Sequence, residues 1–191
     1  MKLIDSLWNN LLFAYYRVSG GRHLKCEGRL VIQGHGSYTI GDNCHFISKE
    51  TVSPVGGNRV VFQTFSPDSS ITIGNNVGIS HTIICARVGV TIEDNVLIGG
   101  GVKIYDTDFH SVNYEERLMS PDPGIKSKPV RICEGAFIGG HSIILKGVTV
   151  GRHSVIGAGS VVTHDVPDYE IWAGNPAVFV KRLIQEENVN E

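Results

Sequence analysis

The sequence predicts an all-β solenoid built from six-residue units, and three observations lead to this fold class. The first is an aliphatic residue at every sixth position of one long stretch, namely Ile132, Ile138, Ile144, Val150, Ile156 and Val162. A period of six matches neither the helix period of 3.6 nor the strand period of two, so each unit is predicted to form one short strand and one corner. Three units then complete a triangular coil with the aliphatic side chains inside.

The second observation is that the same period recurs upstream, at Ile92, Ile98 and Ile104 and, one turn earlier, at Ile73, Ile79 and Cys85. A weaker version runs through Leu30, Gly36 and Phe46, with a shift of phase at Ile40. The third is the 23 glycines in 191 residues, well above the usual share of about 7%. Glycine permits the tight corners that such a solenoid needs. We therefore expect one domain over 1–191, and its parts are a helix at 1–20, coils at 24–104 and 132–167, a loop at 105–131 and a C-terminal segment at 168–191.

The first element of the chain is predicted to be an amphipathic helix. Apolar residues follow the i, i+4, i+8 spacing at Leu3, Ile4, Leu7, Trp8, Leu11, Leu12 and Tyr15, and Gly20 and Gly21 end the helix. Two roles are open for this helix. It can cover the open end of the solenoid, or it can bind a membrane surface or a partner. Only Lys2 and Arg17 add positive charge to the helix and its end, fewer than an anionic membrane favours.

Composition excludes several classes of function. Lys and Arg number 17 against 19 Asp and Glu, a formal charge of -2, which argues against nucleic-acid binding. The four cysteines lack CxxC pairing, which argues against a zinc ribbon or a disulfide scaffold and favours a reducing compartment. The N-terminal region has no apolar run long enough for a transmembrane helix. We expect a soluble, cytoplasmic protein.

Two segments interrupt the repeat, at 53–69 and at 105–131, and solenoid insertions often carry binding or chemistry. In an extended strand, alternate residues share a face, so Asp106, Asp108 and His110 are predicted to project to one side. An imidazole with a carboxylate partner suits removal of a proton from a hydroxyl or an amine. His81, on a coil that precedes the long loop, and Arg117, within that loop, are candidate substrate contacts.

Three segments carry a resemblance to a known family. They are Asp106-Thr107-Asp108-Phe109-His110, the run from Phe137-Ile138-Gly139-Gly140 to Ala158-Gly159-Ser160-Val161-Val162, and the ending from Asp165-Val166-Pro167 to Ala173-Gly174-Asn175-Pro176-Ala177 with Lys181-Arg182. Together they resemble the hexapeptide-repeat acyltransferases, especially the O-acetyltransferases of colanic acid, O-antigen and capsule assembly. The resemblance implies a left-handed parallel β-helix with an N-terminal helix, a protruding catalytic loop and a short C-terminal helix.

The resemblance also implies roles for single residues. His110 matches the general base that activates an acceptor hydroxyl for direct attack on the thioester of acetyl-CoA, and Asp108 and Asp106 are its candidate partners. His81 falls near an acceptor contact. The positions that match the coenzyme A site are Phe137, Gly139, Gly140 and Ala158 for the pantetheine arm, and Lys181 and Arg182 for the phosphates. A homotrimer with active sites between subunits is implied, with no metal.

Other functions stay open at this point. An N-acyltransferase acting on an amino sugar fits the same motifs, and neither the acceptor nor the length of the acyl chain is defined by them. A metalloenzyme of the γ-carbonic-anhydrase type needs three converging histidines. His141 and His153 are twelve residues apart, two thirds of a coil, so we expect them on different faces. A noncatalytic scaffold is the remaining class, which acetyl-CoA binding would distinguish.

Overall fold

The computed structural model of the chain describes residues 2–57 and 59–184, and it is a parallel β-helix preceded by one helix. The first half contains α1 (Lys2–Tyr15), β1 (Ser19–Gly20), β2 (Lys25–Glu27), β3 (Val31–Gln33), β4 (Ser37–Ile40), β5 (His45–Ile47), β6 (Val61–Thr64), β7 (Ser70–Ile73), β8 (Gly78–Ser80), β9 (Ile83–Ala86) and β10 (Gly89–Ile92). The second half contains β11 (Leu97–Ile98), β12 (Lys103–Tyr105), α2 (Tyr114–Arg117), β13 (Val130–Ile132), β14 (Phe137–Ile138), β15 (Ile143–Ile144), β16 (Thr149–Val150), β17 (Val155–Ile156), β18 (Val161–Val162), β19 (Glu170–Gly174) and β20 (Ala177–Arg182).

Successive strands enter three sheets in turn, which form the three faces of a prism. Sheet A has the order β1-β4-β7-β10-β13-β16, sheet B the order β2-β5-β8-β11-β14-β17-β19-β20, and sheet C the order β18-β15-β12-β9-β6-β3. Apart from the last pair, neighbouring strands run parallel. We name the three edges of the prism AB, BC and CA after the sheets that meet there.

The predicted six-residue period is confirmed by the core. The six residues that carry the period between Ile132 and Val162 are all completely buried. Residues at equivalent positions stack from coil to coil, as when Ile98 pairs with Ile138 and Ile138 with Ile156. One phase was wrong: Ile84, not Cys85, stacks on Ile104. The corner before Ile84 is one residue shorter than the next corner along the same edge, so the inward position comes earlier.

The outer surfaces of the three sheets differ in polarity. Sheet A carries a polar row, formed by Thr39, Thr72, Thr91, Arg131 and Thr149. Sheet B carries an apolar row along its second half, formed by Leu97, Phe137, Val155 and Ile171. Sheet C carries an aliphatic row interrupted by Lys103, formed by Val31, Val61, Ile83, Ile143 and Val161. Sheets B and C therefore present the apolar faces of the prism.

Asparagine and histidine occupy corner positions with positive φ angles. This left-handed backbone is uncommon for residues other than glycine, but asparagine and histidine are enriched in it. Asn43, Asn76 and Asn95 stack along edge AB with φ angles of 58°, 56° and 61°. Their side chains form a ladder, with Asn43 Nδ2 donating to Asn76 Oδ1 at 3.3 Å and Asn76 Nδ2 to Asn95 Oδ1 at 3.1 Å. His153 continues this edge, whereas His141 lies on edge BC. The prediction that these two histidines lie on different faces is confirmed.

The segment 53–69 is not one continuous insertion. Val61–Thr64 form a regular strand of sheet C, which leaves one insertion before it at edge BC and a short turn after it at edge CA. The first insertion lies directly against the corners of later coils. A Cβ atom on Gly100 would lie 2.1 Å from the carbonyl oxygen of Val55, and one on Gly56 would lie 2.8 Å from Cβ of His81.

The predicted C-terminal helix is wrong for the residues that the structure describes. β19 continues sheet B, and β20 folds back beside it as an antiparallel strand. The turn Gly174-Asn175-Pro176 joins the two strands, and Val178, Phe179 and Val180 are residue types that favour a strand. Residues 185–191 of the same prediction lie outside the described residues.

The predicted N-terminal helix is present and attaches to the first coil through polar contacts. Asn9 is 2% exposed; its Nδ2 donates to the carbonyl of Gly28, and its Oδ1 accepts from the N–H of Leu30, both at 2.9 Å. Trp8 Nε1 donates to the carbonyl of Leu30 at 3.3 Å. The residues of the helix and its end that pack against the core are Leu12, Phe13 and Tyr16. In the described part of the chain, no helix is long and apolar enough to cross a membrane.

The long loop is fixed to the prism at its first residue. The Asp106 carboxylate is fully buried and accepts three backbone N–H groups, those of Arg87, Val88 and Gly89, each at 2.7 Å. These donors form the corner of the preceding coil at edge CA. Asp106 therefore binds two coils together.

Replacing Asn9 with alanine should separate the helix from the first coil. The change leaves the buried N–H of Leu30 and the partly buried carbonyl of Gly28 without the amide as a partner, which costs about 1–3 kcal/mol. We expect a lower denaturation midpoint and faster hydrogen exchange at the Leu30 amide. Asn10→Ala, at an exposed neighbouring position, is the control and should change neither. Equal stability of the two variants would contradict this account of the helix attachment.

Replacing Asp106 with alanine should destabilise the fold by about 3 kcal/mol or more, because three backbone donors lose a charged acceptor in a dry site. Urea denaturation measures this effect. Asp68→Ala removes an exposed carboxylate and should leave the midpoint unchanged. If Asp106→Ala had the same denaturation midpoint as the wild type, the carboxylate would not hold the loop to the prism as the geometry indicates.

Candidate active site

The loop between β12 and β13 is braced by its own polar groups around Ser111. The Ser111 N–H donates to Asp122 Oδ2 at 2.8 Å, and its Oγ donates to Glu116 Oε2 at 2.5 Å. Arg117 Nη1 donates to the Ser111 carbonyl at 2.8 Å. The guanidinium of Arg117, predicted as a substrate contact, is thus bonded within the loop. The bonding gives the loop a defined shape although it lies outside the core.

His110 stands at the surface of this loop beside a carboxylate. Its side chain is 75% exposed, and Nδ1 lies 3.8 Å from Oδ2 of Asp122, whose side chain is only 8% exposed. This distance exceeds that of a hydrogen bond, but catalytic hydrogen bonds are often long in unliganded enzymes. The arrangement holds one ring nitrogen toward a carboxylate and leaves the other side of the ring open.

The hydrogen bonds to Asp122 keep its carboxylate ionised. The N–H of Ser111 lowers the pKa of Asp122, and the N–H of Gly124 at 3.0 Å and the nearby His110 and Arg117 act in the same direction against burial, which raises it. A depressed folded-state pKa stabilises the loop above the pKa of an unfolded aspartate. That stabilisation is lost as the pH falls through the lower value in the folded protein.

The prediction that Asp106, Asp108 and His110 project to one side was wrong. The Asp106 carboxylate faces the corner at 87–89, and Asp108 Oδ1 accepts from Lys146 Nζ at 2.5 Å. Phe109, with a φ of 64°, interrupts the extended backbone that the prediction assumed. The carboxylate near the imidazole is Asp122, which lies twelve residues further along the chain and was not predicted. Only the turn-forming sequence Pro121-Asp122-Pro123-Gly124 marked its position.

Aromatic packing fixes the residue before His110. The Phe109 ring packs edge-to-face on Tyr105 and Phe65, with centroid distances of 5.1 and 5.8 Å. Edge-to-face aromatic contacts stabilise by about 0.5–1.5 kcal/mol each beyond the area they bury. The backbone of His110 is held from the other side, since its N–H donates to the Asp108 carbonyl at 2.7 Å.

His81, the other predicted substrate contact, does not line an open groove. It is 1% exposed and lies at edge BC with a φ of 44°, beneath Gly56. Edge BC and edge CA are separated by the width of sheet C. The structure therefore places His81 away from His110 within one chain.

Four predicted coenzyme positions come together at edge BC. The Gly139 N–H donates to the carbonyl of Ile156 at 2.8 Å, and a Cβ atom on Gly139 would lie 2.6 Å from the nitrogen of Ala158. Gly140 follows on the same corner, and Phe137 projects from the adjoining strand of sheet B with 45% exposure. The result is a smooth corner of small residues beside an exposed aromatic ring.

Lys181 and Arg182 are not part of that corner. They lie at the end of β20 near edge AB, where the Leu183 N–H donates to the carbonyl of Tyr169. Arg182 Nη2 lies 3.4 Å from Glu170 Oε1. The width of sheet B separates both residues from Gly139 and Ala158 within one chain.

Within residues 2–57 and 59–184, no group of three or more His, Cys, Asp or Glu side chains is placed to hold a metal ion. All four cysteines are thiols rather than disulfides. Burial raises the pKa of Cys26 to about 12 and that of Cys85 to about 11. These two thiols are therefore protonated and poor nucleophiles at neutral pH.

Comparison with known proteins identifies relatives of this chain. The family model of the bacterial transferase hexapeptide (six repeats) matches residues 129–164. A putative acetyltransferase of Saccharomyces cerevisiae is 34% identical over 145 residues, which cover 74% of this chain and 72% of that protein. Galactoside O-acetyltransferase of Escherichia coli is 40% identical over 138 residues, which cover 71% of this chain and 66% of that enzyme.

Solved structures share the fold. A galactoside acetyltransferase in complex with coenzyme A has a TM-score of 0.62 and 26% identity, over 92% of this chain and 69% of that one. An N-acyltransferase from Bacillus cereus, in complex with dTDP-4-amino-4,6-dideoxyglucose and coenzyme A, has a TM-score of 0.65 and 19% identity, over 93% and 89%. The parallel sheets and these neighbours are consistent with a left-handed β-helix. The chain belongs to the hexapeptide-repeat transferase family, among relatives that are acetyltransferases.

Proposed function

We propose that this protein transfers an acetyl group from acetyl-CoA to a hydroxyl group of a sugar, with His110 as the general base and Asp122 as the residue that positions it. The observation that carries the proposal is the exposed imidazole of His110 beside a buried, ionised carboxylate on a braced loop. Galactoside O-acetyltransferase, 40% identical to this chain, supports both the donor and a sugar acceptor.

The proposed reaction is a direct transfer. Asp122 holds the proton on Nδ1 of His110, so Nε2 accepts the proton of the acceptor hydroxyl. The acceptor oxygen then bonds to the thioester carbon, the carbon–sulfur bond breaks, and the imidazolium returns the proton to the departing thiolate. The carboxylate stabilises the imidazolium while it carries the positive charge. Asp108, bonded to Lys146, contributes to the shape of the loop rather than to the orientation of the ring.

We propose that each complete site forms between two subunits of a homotrimer. The coenzyme corner at edge BC and the loop of His110 at edge CA lie on opposite sides of sheet C, so a single chain holds only half of the site at each edge. The apolar rows on the outer surfaces of sheets B and C support burial of these two sheets against neighbouring subunits. The polar row on sheet A, which is mostly threonine, suits exposure to solvent. In a closed threefold ring, each subunit can bury two different, complementary surfaces against its two neighbours.

The acceptor that we favour is a hydroxyl group of a surface polysaccharide or of its sugar precursor. Acetyl-CoA as the donor and four cysteines that form no disulfide suit a cytoplasmic enzyme. Transfer to a sugar amine is the second candidate, which the likeness to the N-acyltransferase from Bacillus cereus favours. Incubation with acetyl-CoA and paired sugars that differ only in a hydroxyl or an amine separates the two. Mass spectrometry of the products identifies the acylated atom.

Replacing His110 with alanine should lower kcat by about 10²- to 10⁴-fold, the usual contribution of a positioned general base. The melting temperature and the affinity for coenzyme A should stay unchanged, because the side chain lies outside the core. Release of free coenzyme A in the presence of an accepted sugar measures the rate. Near-normal transfer by His110→Ala would show that another group is the base.

Asp122→Asn tests the positioning role in the same assay. We expect a smaller fall in kcat than for His110→Ala, because the imidazole remains but loses the carboxylate that fixes its tautomer and stabilises the imidazolium. The KM for acetyl-CoA should stay unchanged. A purely structural role would lower the melting temperature together with the activity. Asp108→Asn is the matched control and should have a smaller effect on kcat than Asp122→Asn.

Co-expression of two inactive chains should restore activity if the site is shared. One chain carries His110→Ala, and the other carries Ala158→Trp, which fills the exposed corner at edge BC. Each interface needs an intact His110 from one chain and an intact corner at edge BC from its neighbour. In randomly mixed trimers roughly a quarter of the interfaces meet both conditions, so activity should approach a quarter of the wild-type value. Light scattering checks that the mixture is trimeric. No recovery from a mixed trimer would place the whole site within one chain.

A further inference from the structure

The N-terminal helix exposes the face that its sequence suggests it should bury. The large apolar side chains of α1 are between 45% and 87% exposed, and they are Leu3, Ile4, Leu7, Trp8, Leu11 and Tyr15. The helix instead contacts the first coil through Asn9 and Asp5, whose Oδ1 accepts from Arg29 Nε at 2.9 Å. The helix therefore covers the first coil, which is one of its two predicted roles, while its apolar face stays exposed. The contact is made by the opposite face.

The exposed face is continuous and bordered by aromatic groups. Leu3, Leu7 and Leu11 are spaced by four residues, so they form one stripe along the helix. Trp8 lies at its margin, with its indole nitrogen bonded to the prism and 45% of the residue exposed. Trp and Tyr at the edge of a leucine stripe are typical of helices that lie in the plane of a membrane interface.

The charge of the surrounding coils complements an anionic surface. Residues 2–50 contain six Lys or Arg and four Asp or Glu, a net charge of +2, whereas the whole chain has a formal charge of -2. Three of the four acidic residues are ion-paired, Asp5 with Arg29, Asp42 with Arg22 and Glu27 with Lys25. The excess charge at this end of the prism is therefore positive. Arg17, at the end of the helix, and Lys49, on the adjoining coil, add positive charge beyond these three pairs.

We propose that α1 and the first coils dock this protein on an anionic lipid bilayer, with the leucine stripe inserted among the acyl chains near the headgroups. The cations on the adjoining coils contact lipid phosphates. Each basic residue near such a surface contributes about 1 kcal/mol. Membrane binding by a single chain does not depend on the acetyl-transfer proposal. In the proposed trimer, threefold rotation keeps the three helices at one level along the axis, so all three reach one surface and binding gains from avidity.

Sedimentation of the full chain with vesicles tests the proposal. We expect binding to phosphatidylcholine vesicles that contain phosphatidylglycerol, and much weaker binding without it or in about 1 M NaCl. The variant with Leu3→Ser, Leu7→Ser and Leu11→Ser should lose about tenfold or more in partitioning. Its melting temperature should hold, because the three side chains are exposed. The matched control replaces Val112, Leu118 and Met119, which are comparably exposed elsewhere, and should bind like the wild type.

Tryptophan emission gives a second readout in a Trp172→Phe background, where Trp8 is the one remaining tryptophan. A blue shift on adding anionic vesicles supports insertion of the helix. Absence of binding to either vesicle type would overturn the proposal even if acyl transfer is normal. Equal binding with and without phosphatidylglycerol would overturn the choice of an anionic surface. Concentration-dependent association that the serine variant abolishes, without lipid binding, would assign the stripe to a second copy instead.

Discussion

Backbone pairing between successive coils is the constraint on which the rest of the structure depends. Each strand is two to six residues long and bonds to the equivalent strands of the coils before and after it. A change in coil length in the middle of a strand would break the register in the sheets, so variation is confined to the corners. The inward aliphatic residues then stack into a single core, and close approach at edge BC demands glycine at positions such as Gly100 and Gly139.

This constraint explains where chemistry can enter such a fold. The backbone groups of the flat faces are already hydrogen-bonded between coils. A loop can leave the prism at an edge without disturbing the sheets. The loop of residues 106–129 lacks a core of its own and is held by polar and aromatic contacts instead. Asp106 ties its base to a corner, Phe109 packs on two rings, and Ser111 bonds to three side chains. A rigid scaffold thereby carries a side chain in a defined position at the surface.

The two ends of the prism solve the problem of unpaired strands differently. At the C-terminal end, β20 folds back antiparallel and provides sheet B with a final strand. At the N-terminal end, a helix lies on the first coil and satisfies backbone groups of Gly28 and Leu30 through Asn9. That attachment uses polar groups, so the leucine stripe of the helix stays outside. Capping and exposure of apolar surface are therefore achieved by the same element.

The sequence by itself determined the fold class, because a period of six with small residues at the corners has one compatible architecture. It also marked the long loop as an insertion. Local patterns could not determine which side chains meet across the loop. The left-handed backbone at Phe109 turned Asp106 and Asp108 away from His110, and Asp122 reached it through a turn twelve residues later.

The helix shows what only the tertiary structure decided. Periodicity identified the apolar face of α1, but burial of Asn9 against backbone groups of Gly28 and Leu30 decided that this face points outward. These contacts join residues 19 and 21 positions apart, so no local pattern contains them. The last strand is a different case, because its helix was implied by the resemblance alone. Val178, Phe179 and Val180 are residue types that favour strands, and β20 pairs with β19 at the edge of sheet B.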